Sequence, residues 1–295
     1  MDRLQRIALG SILVGVLVLG IKYAAYAVTG SVALLSDALE SIVNVATAVA
    51  AFVALRISLQ PADANHPYGH SKAEYLSAVV EGVLIVIAAC AILREAYLGF
   101  VAPTPLEAPV AGLVISLAAS GINAAWATVL VRQGRTHRSV ALEADGRHLV
   151  TDVVSSVGVV VGVALVFLTH VIVLDALLAV AVAVNVLWAG WHIMRESVGG
   201  LMDEAVPESE LNRVRDVIAG NADGAVEAHD VKTRRAGKMT FIDFHLVVAS
   251  DMTVVAAHDI CDRLERALRA AVPESAVSIH VEPENKAKHS GIVVL

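Results

Sequence analysis

Residues 36–47 read SDALESIVNVAT. They sit inside a run that is otherwise apolar, yet Asp37, Glu40 and Asn44 fall at spacings of three and four. A helix therefore carries all three on one face, and Thr47 continues the stripe. At the centre of a bilayer an ionised side chain costs roughly 2.5–3.5 kcal/mol on insertion scales. A stripe of this kind has to face protein, water or a cation. How the rest of the chain reads decides whether a bilayer surrounds it.

The 295 residues are 57% hydrophobic, with a mean hydropathy of +0.69. That is too apolar for an ordinary soluble domain. Six runs have the length and low charge of transmembrane helices: about 7–28, 32–57, 74–100, 108–131, 146–169 and 171–194. The first leads straight into the second with no small-residue cleavage site between, so it reads as a retained span. Arg3, Arg6, Arg56, Lys72, Arg132, Arg135, Arg138 and Arg195 crowd one set of span ends. The opposite connections (TGS at 29–31, PTPLEAP at 103–109 and the turn near 170) hold no Lys or Arg, and Arg94 is the one exception nearby. The positive-inside rule then puts both termini in the cytoplasm. With no targeting extension in view, the expectation is a multi-pass protein of the cell (inner) membrane.

Beyond Arg195 the character changes. The stretch SVGGLMDEAVPE, with its paired glycines and Pro207, marks a boundary. Residues 203–286 carry mixed charge and predict a helix near 207–220, strands near 225–234 and 239–249, a helix near 253–271 and a strand near 275–282. The expected fold is thus an α-helical membrane protein. Six transmembrane helices form a transport domain over 1–202, a small cytoplasmic α/β (ferredoxin-like) domain follows over 203–286, and 287–295 is a loose tail. Cys90 and Cys261 are isolated from each other and suggest no disulfide or thiolate site. The net charge of −7 argues against a nucleic-acid partner.

The fifth span carries a second polar stripe: His148, Asp152 and Ser155 or Ser156. His148 and Asp152 are four apart and point the same way. Two stripes from two helices supply Glu40, Asn44, His148 and Asp152. Two carboxylates, an imidazole and an amide suit a divalent transition metal. Ser, Thr and Asn alone would read as helix–helix glue, but two acids with a histidine exceed what glue needs. Asp37, at the start of its span, either caps the helix or lines an entrance. Glu81, in LSAVVEGVLIV, is an intramembrane acid with no partner apparent in sequence.

LLSDALESIVN, DANHPYGHSKAEYLSAVVEG and ADGRHLVTDVVSSVG, in that order, resemble the cation diffusion facilitator family of divalent-metal transporters. The resemblance runs over essentially the whole chain. It implies a homodimer that exchanges a divalent cation for protons by alternating access, with Glu40, Asn44, His148 and Asp152 as the transport site. The usual second-span pair is Asp or His followed by Asp, so Glu40 and Asn44 both depart from it, and Asn44 removes a charge and a proton acceptor. It also implies a loop metal site at Asp63, His66 and His70, and a charge pair, Lys72 with Asp203, that links the spans to the cytoplasmic domain.

A third cluster follows from alternation. In TFIDFHLVV, Ile242, Phe244, Leu246 and Val248 share one face and Asp243 and His245 the other. In AVSIHVE, Val277, Ile279 and Val281 form the apolar face, and His280 and Glu282 the polar one. The histidines therefore point away from the buried face. By resemblance, His229, His245, His258 and His280 bind metal in the cytoplasmic domain, with Glu282 where the family pattern has Asp. Zn²⁺ is the first expectation for the metal because the loop and cytoplasmic clusters are His-rich. Fe²⁺ comes second, and Mn²⁺, Co²⁺ and Cd²⁺ also fit. The competing reading is a membrane-embedded metal sensor that binds without transporting. An enzyme is not expected: the chain lacks an HExxH pairing and a GxSxG elbow.

Overall fold

The computed structural model of the chain describes residues 3–29, 32–101, 110–169, 171, 173–289 and 292–293. Inside α2, the side chains of Asp37 and Glu40 lie outside the described set, as do the connections at 30–31, 102–109 and 170. The chain divides into two compact units, Met1–Val198 and Gly199–Leu295.

Among its described residues the first unit holds six long helices: α1 (Arg3–Thr29), α2 (Val32–Ser58), α3 (Ala73–Val101), α4 (Val110–His137), α5 (Val140–Thr169) and α6 (Val173–Leu201). Arg3–Ala24, Ser41–Ser58, Ala73–Val101, Val114–His137 and Leu177–Leu201 are long and apolar enough to cross a membrane by length and composition. The remaining helix, α5, carries Glu143, Asp145, Arg147 and Asp152 in its first half. The helices run past the apolar runs at their charged ends. α4 continues to His137 and α5 begins six residues before the apolar run, at Val140. Hydrogen bonding sustains a helix after its hydrophobic stripe stops, so hydropathy alone marks the spans short.

Close packing fixes the helix that carries His148 and Asp152. At Gly146 a Cβ would stand 2.7–2.9 Å from Val131 and Leu130, which lets α4 and α5 touch backbone to backbone. The start of α5 is pinned by Glu74. Its carboxylate accepts from Ser58 Oγ at 2.8 Å, Ser139 Oγ at 2.6 Å and the Ala141 N–H at 3.2 Å, so one buried acid ties α2, α3 and α5 together.

The second unit holds α7 (Glu208–Asn221), β1 (Ala225–Ala236), β2 (Met239–Val248), α8 (Val254–Ala271), β3 (Ser275–Pro283) and the short β4 (Ile292–Val293), in the sheet order β3-β2-β1-β4. β1 and β2 are antiparallel. β2 and β3 pair directly in parallel, joined by α8 as a crossover. Val214 and Ile218 of α7 and Ile260, Leu264 and Leu268 of α8 bury the face made by Ile242, Phe244, Leu246 and Val248. The α/β order expected from the sequence is the order found. Within the tail expected to be loose, Ile292 and Glu227's neighbour Ala228 pair, as do Val293 and Glu227, so β4 extends the sheet beside β1.

Candidate metal sites

In the membrane unit α2 and α5 bring their stripes together. The Asn44 amide nitrogen donates to Asp152 Oδ2, and its carbonyl oxygen lies 3.0 Å from His148 Nε2. Because that oxygen can only accept, Nε2 carries the hydrogen in this pairing. Asn44 and His148 are buried and Asp152 is half-buried. The neighbouring hydroxyls are turned onto their own helices. Thr47 Oγ1 donates to the Asn44 carbonyl at 2.9 Å, Thr151 Oγ1 to the His148 carbonyl at 2.6 Å and Ser155 Oγ to the Thr151 carbonyl at 3.0 Å. They hold backbone rather than add donors. Asn44, His148 and Asp152, with Thr151 and Ser155, line a cavity of about 160 Å³ whose other walls are apolar, chiefly Leu84, Ile85, Ala88 and Val186. That space holds several water molecules, enough for a partly hydrated ion.

Asp145 belongs to the same face of α5, three residues before His148, and was not singled out by the sequence reading. It is 1% exposed and accepts a hydrogen bond from Ser11 Oγ at 2.5 Å. With Ser11, Ser41, Asn44 and Asn123 it lines a water-sized pocket that shares Asn44 with the larger cavity. The signal was present: Asp145, His148 and Asp152 repeat the three-and-four spacing of the second span.

The loop before α3 gathers Asp63, His66 and His70, with one ligand atom from each within 4.8 Å of the others. Asp63 Oδ1 accepts from the His66 and Asn65 N–H groups at 2.7 and 2.9 Å, which closes the turn. The His66 N–H, foremost among these bonds, holds the Asp63 carboxyl below the usual carboxylate range. His70 Nε2 lies 3.5 Å from Asp63 Oδ2, and the His66 and His70 rings lie 4.3 Å apart, tilted at 46°. Gly69, at φ +82°, makes the bend that returns His70 toward Asp63. Lys72 stands just ahead of α3 in this unit. Asp203 follows α6 in the other, where its carboxylate takes up Arg234 at 3.3 Å.

In the second unit three histidines form a row across three strands. His229 of β1 pairs with His245 of β2, which pairs with His280 of β3. Their rings stand 5.4 and 4.9 Å apart. Glu282 spans the row, with Oε2 3.2 Å from His229 Nε2 and Oε1 3.3 Å from His245 Nδ1. Between His229 and Lys232 the register slips: three steps along β1 face two along β2. This bulge, with Asp230 at φ +51°, aims two consecutive residues at one place. His229, Asp230 and His245 thereby offer ligand atoms within 4.8 Å of one another. Neither ring nitrogen of His229 makes a well-directed hydrogen bond among the described residues, although carboxylate oxygens stand on both sides. A buried imidazole flanked this way is a donor set that fits a divalent cation.

Two features differ from the sequence expectation. The polar face is not open throughout: His229 and Glu227 are buried. The chain end reaches the residues on either side of His229: the His289 N–H donates to Glu227 Oε2 at 2.9 Å and Lys288 Nζ to Asp230 Oδ2 at 2.6 Å. His258, for its part, lies on α8, which covers the opposite face of the sheet. Its ring is 73% exposed and 3.7 Å from Asp262.

The Lys288 hydrogen bond holds the Asp230 carboxyl below its ordinary range. A carboxyl depressed by folding stabilises the folded arrangement above its unfolded pKa and loses that contribution as pH falls through the folded one. The Lys288–Asp230 contact is therefore expected to hold at neutral pH and to weaken below about pH 4, the ordinary carboxylate range. Hydrogen exchange of the His289 and β4 amides at graded pH, with Lys288→Ala as the already-released reference, measures this.

Comparison with known proteins places the chain in a family. The model described as the cation efflux transmembrane domain matches residues 8–202, and that of the cation efflux protein cytoplasmic domain matches residues 206–284. An uncharacterized transporter of Synechocystis sp., sll1263, is 45% identical over 265 residues, 90% of this chain and 86% of its own. The cation-efflux pump FieF of Cronobacter sakazakii is 34% identical over 280 residues, 95% and 92% of the two chains. Among solved structures, the zinc form of the putative zinc transporter CzrB is 49% identical and matches 29% of this chain and 98% of its own, with a TM-score of 0.27. The chain belongs to the cation diffusion facilitator family, a family of multi-pass membrane transporters that export metal cations.

Proposed function

We propose that this protein exports a divalent transition-metal cation from the cytoplasm in exchange for protons, by alternating access in a homodimer. Glu40, Asn44, His148 and Asp152 form the transport site, residues 1–202 being the transport domain and residues 203–286 a cytoplasmic metal-binding and dimerisation domain. Both termini lie in the cytoplasm, as the Lys and Arg bias of the connections requires. The observation that carries this reading is the meeting of Asn44, His148 and Asp152 from α2 and α5 at the wall of a cavity inside a membrane-spanning unit. Relatives bearing the name cation-efflux pump support the direction of transport.

The geometry gives the exchange a mechanism. Without metal, the Asn44 amide ties Asp152 to His148. A cation arriving from the cytoplasm takes Asp152 and an imidazole nitrogen as ligands, so Asn44 must let go and turn its carbonyl oxygen inward. Ligands bind metal only when deprotonated, so metal and protons compete for Glu40, His148 and Asp152. Protons arriving from the other side displace the metal there. The site offers one nitrogen and three oxygen donors, while the loop and cytoplasmic clusters are richer in histidine. Zn²⁺ is the preferred cargo on that balance and Fe²⁺ the second.

The test is Zn²⁺ and Fe²⁺ uptake into proteoliposomes of the full chain with an imposed pH gradient. Uptake that a protonophore collapses is the expected result. Tight binding without flux of any divalent ion would leave a membrane-embedded sensor and overturn the transport reading.

A further inference from the structure

Glu81 is an acid that this mechanism does not use. It lies on α3, 0% exposed, and neither carboxyl oxygen has a hydrogen-bond partner among the described residues. Ala78 and Ile85, three before and four after it, share its face of α3 and pack with Ala144 of α5 and Ile193 of α6 in one apolar cluster. At the next residue α6 closes in: a Cβ on Gly82 would meet the Gly190 carbonyl and Met194 at 3.1 Å.

The position along the helices is one-sided. Every α3 residue that lines the large cavity, from Leu84 to Ile92, follows Glu81. On α5, Asp145 likewise precedes His148, Thr151, Asp152 and Ser155. The cavity opens from the metal ligands toward the C-terminal ends of α3 and α5. Glu81 is sealed on the other side, toward the ends marked by Lys72 and Arg138.

We propose that Glu81 is a proton-carrying site of the transport cycle separate from the metal ligands, protonated while its side is closed and discharged when the helices part there to admit metal. The proposal rests on the antiport reading. A carboxylate without a hydrogen-bond donor in an apolar interior is far more costly than the neutral acid. Among the described residues the charged neighbours offer no relief. On α5 the group facing it is Asp145, itself an acid and already bonded to Ser11. Between Ser41 and Ser58 of α2 the sole charge is Arg56, and it is exposed; His192, Arg195 and Glu196 of α6 are exposed too. When water reaches this face, Glu81–COOH becomes Glu81–COO⁻ and the proton leaves to the cytoplasmic solution. Glu81 thus restores the acceptor that the chain gave up by having Asn44 at the transport site.

The experiment measures protons moved per metal ion in proteoliposomes of the full chain, with a pH-sensitive dye inside and Zn²⁺ as the metal. Glu81→Gln keeps shape and neutrality, so metal affinity stays close to wild type while the proton count per ion falls by about one. An unchanged count in E81Q overturns the proposal while leaving antiport intact. Metal flux without proton movement in the wild type overturns both. If E81Q does not assemble, Glu81→Asp retains an acid one methylene shorter. Infrared difference spectra on Zn²⁺ addition must then show the lost protonated-carboxyl band of the wild type shifted in E81D, and an identical band refutes the assignment.

Discussion

Asp152→Ala will lower metal flux by about a hundredfold or more with the dimer still folded, since loss of an outer-shell partner alone costs about 10–100-fold and Asp152 is proposed as a direct ligand. Its carboxylate is the acceptor for the Asn44 amide and stands one helical turn beyond His148 on the cavity wall. Removing it leaves Asn44 with an unpaired buried N–H and the site with less negative charge. Asn44→Asp acts in the opposite sense. It sets a carboxylate oxygen against Asp152 where an N–H now donates, and two carboxylates at hydrogen-bond distance need a proton or a cation between them. The variant is expected to bind metal more tightly and to move about one more proton per ion. Both are read in the same vesicle assay, with wild type as the reference. Wild-type rates in Asp152→Ala would remove the site from the mechanism altogether.

What the sequence disclosed and what it withheld follow from range. Helical and strand periods are local, so the six helices, the α–β–β–α–β order and the facing of Ile242 against His245 were all readable. The two polar stripes, Asn44 on one and Asp152 on the other, were readable as well, because each announces its own face; the hydrogen bond between them was not. Contacts made by bending or covering were not. The bulge that turns Asp230 toward His229 depends on one extra residue opposite β2, which no pattern of two reveals. The bonds made to Glu227 and Asp230, on either side of His229, come from His289 and Lys288, some sixty residues later. His258 lies on an amphipathic helix whose apolar face sets it apart from the row of strands within one copy. Glu81 could be seen as an intramembrane acid, but only packing shows that α3, α5 and α6 leave it without a donor.

The row of histidines makes a sharper claim than the family pattern does. His245 is its centre, flanked by His229 and His280 and reached by Glu282, while His258 stands on the layer beyond the sheet's other face. Zn²⁺ at about 100 times its Kd should stabilise this unit by about 2.7 kcal/mol. Amides of β1, β2 and β3 that exchange by unfolding of the unit would then slow by about a hundredfold. His245→Ala removes that protection, because the two flanking rings lose the ligand between them. His258→Ala leaves it in place if the row alone holds the ion, and halts at a partial loss if α8 of a second copy brings its histidine to the same metal. Hydrogen exchange on the full-length dimer, with and without Zn²⁺, decides between these. Full protection in His245→Ala would place the cytoplasmic metal somewhere other than on this sheet.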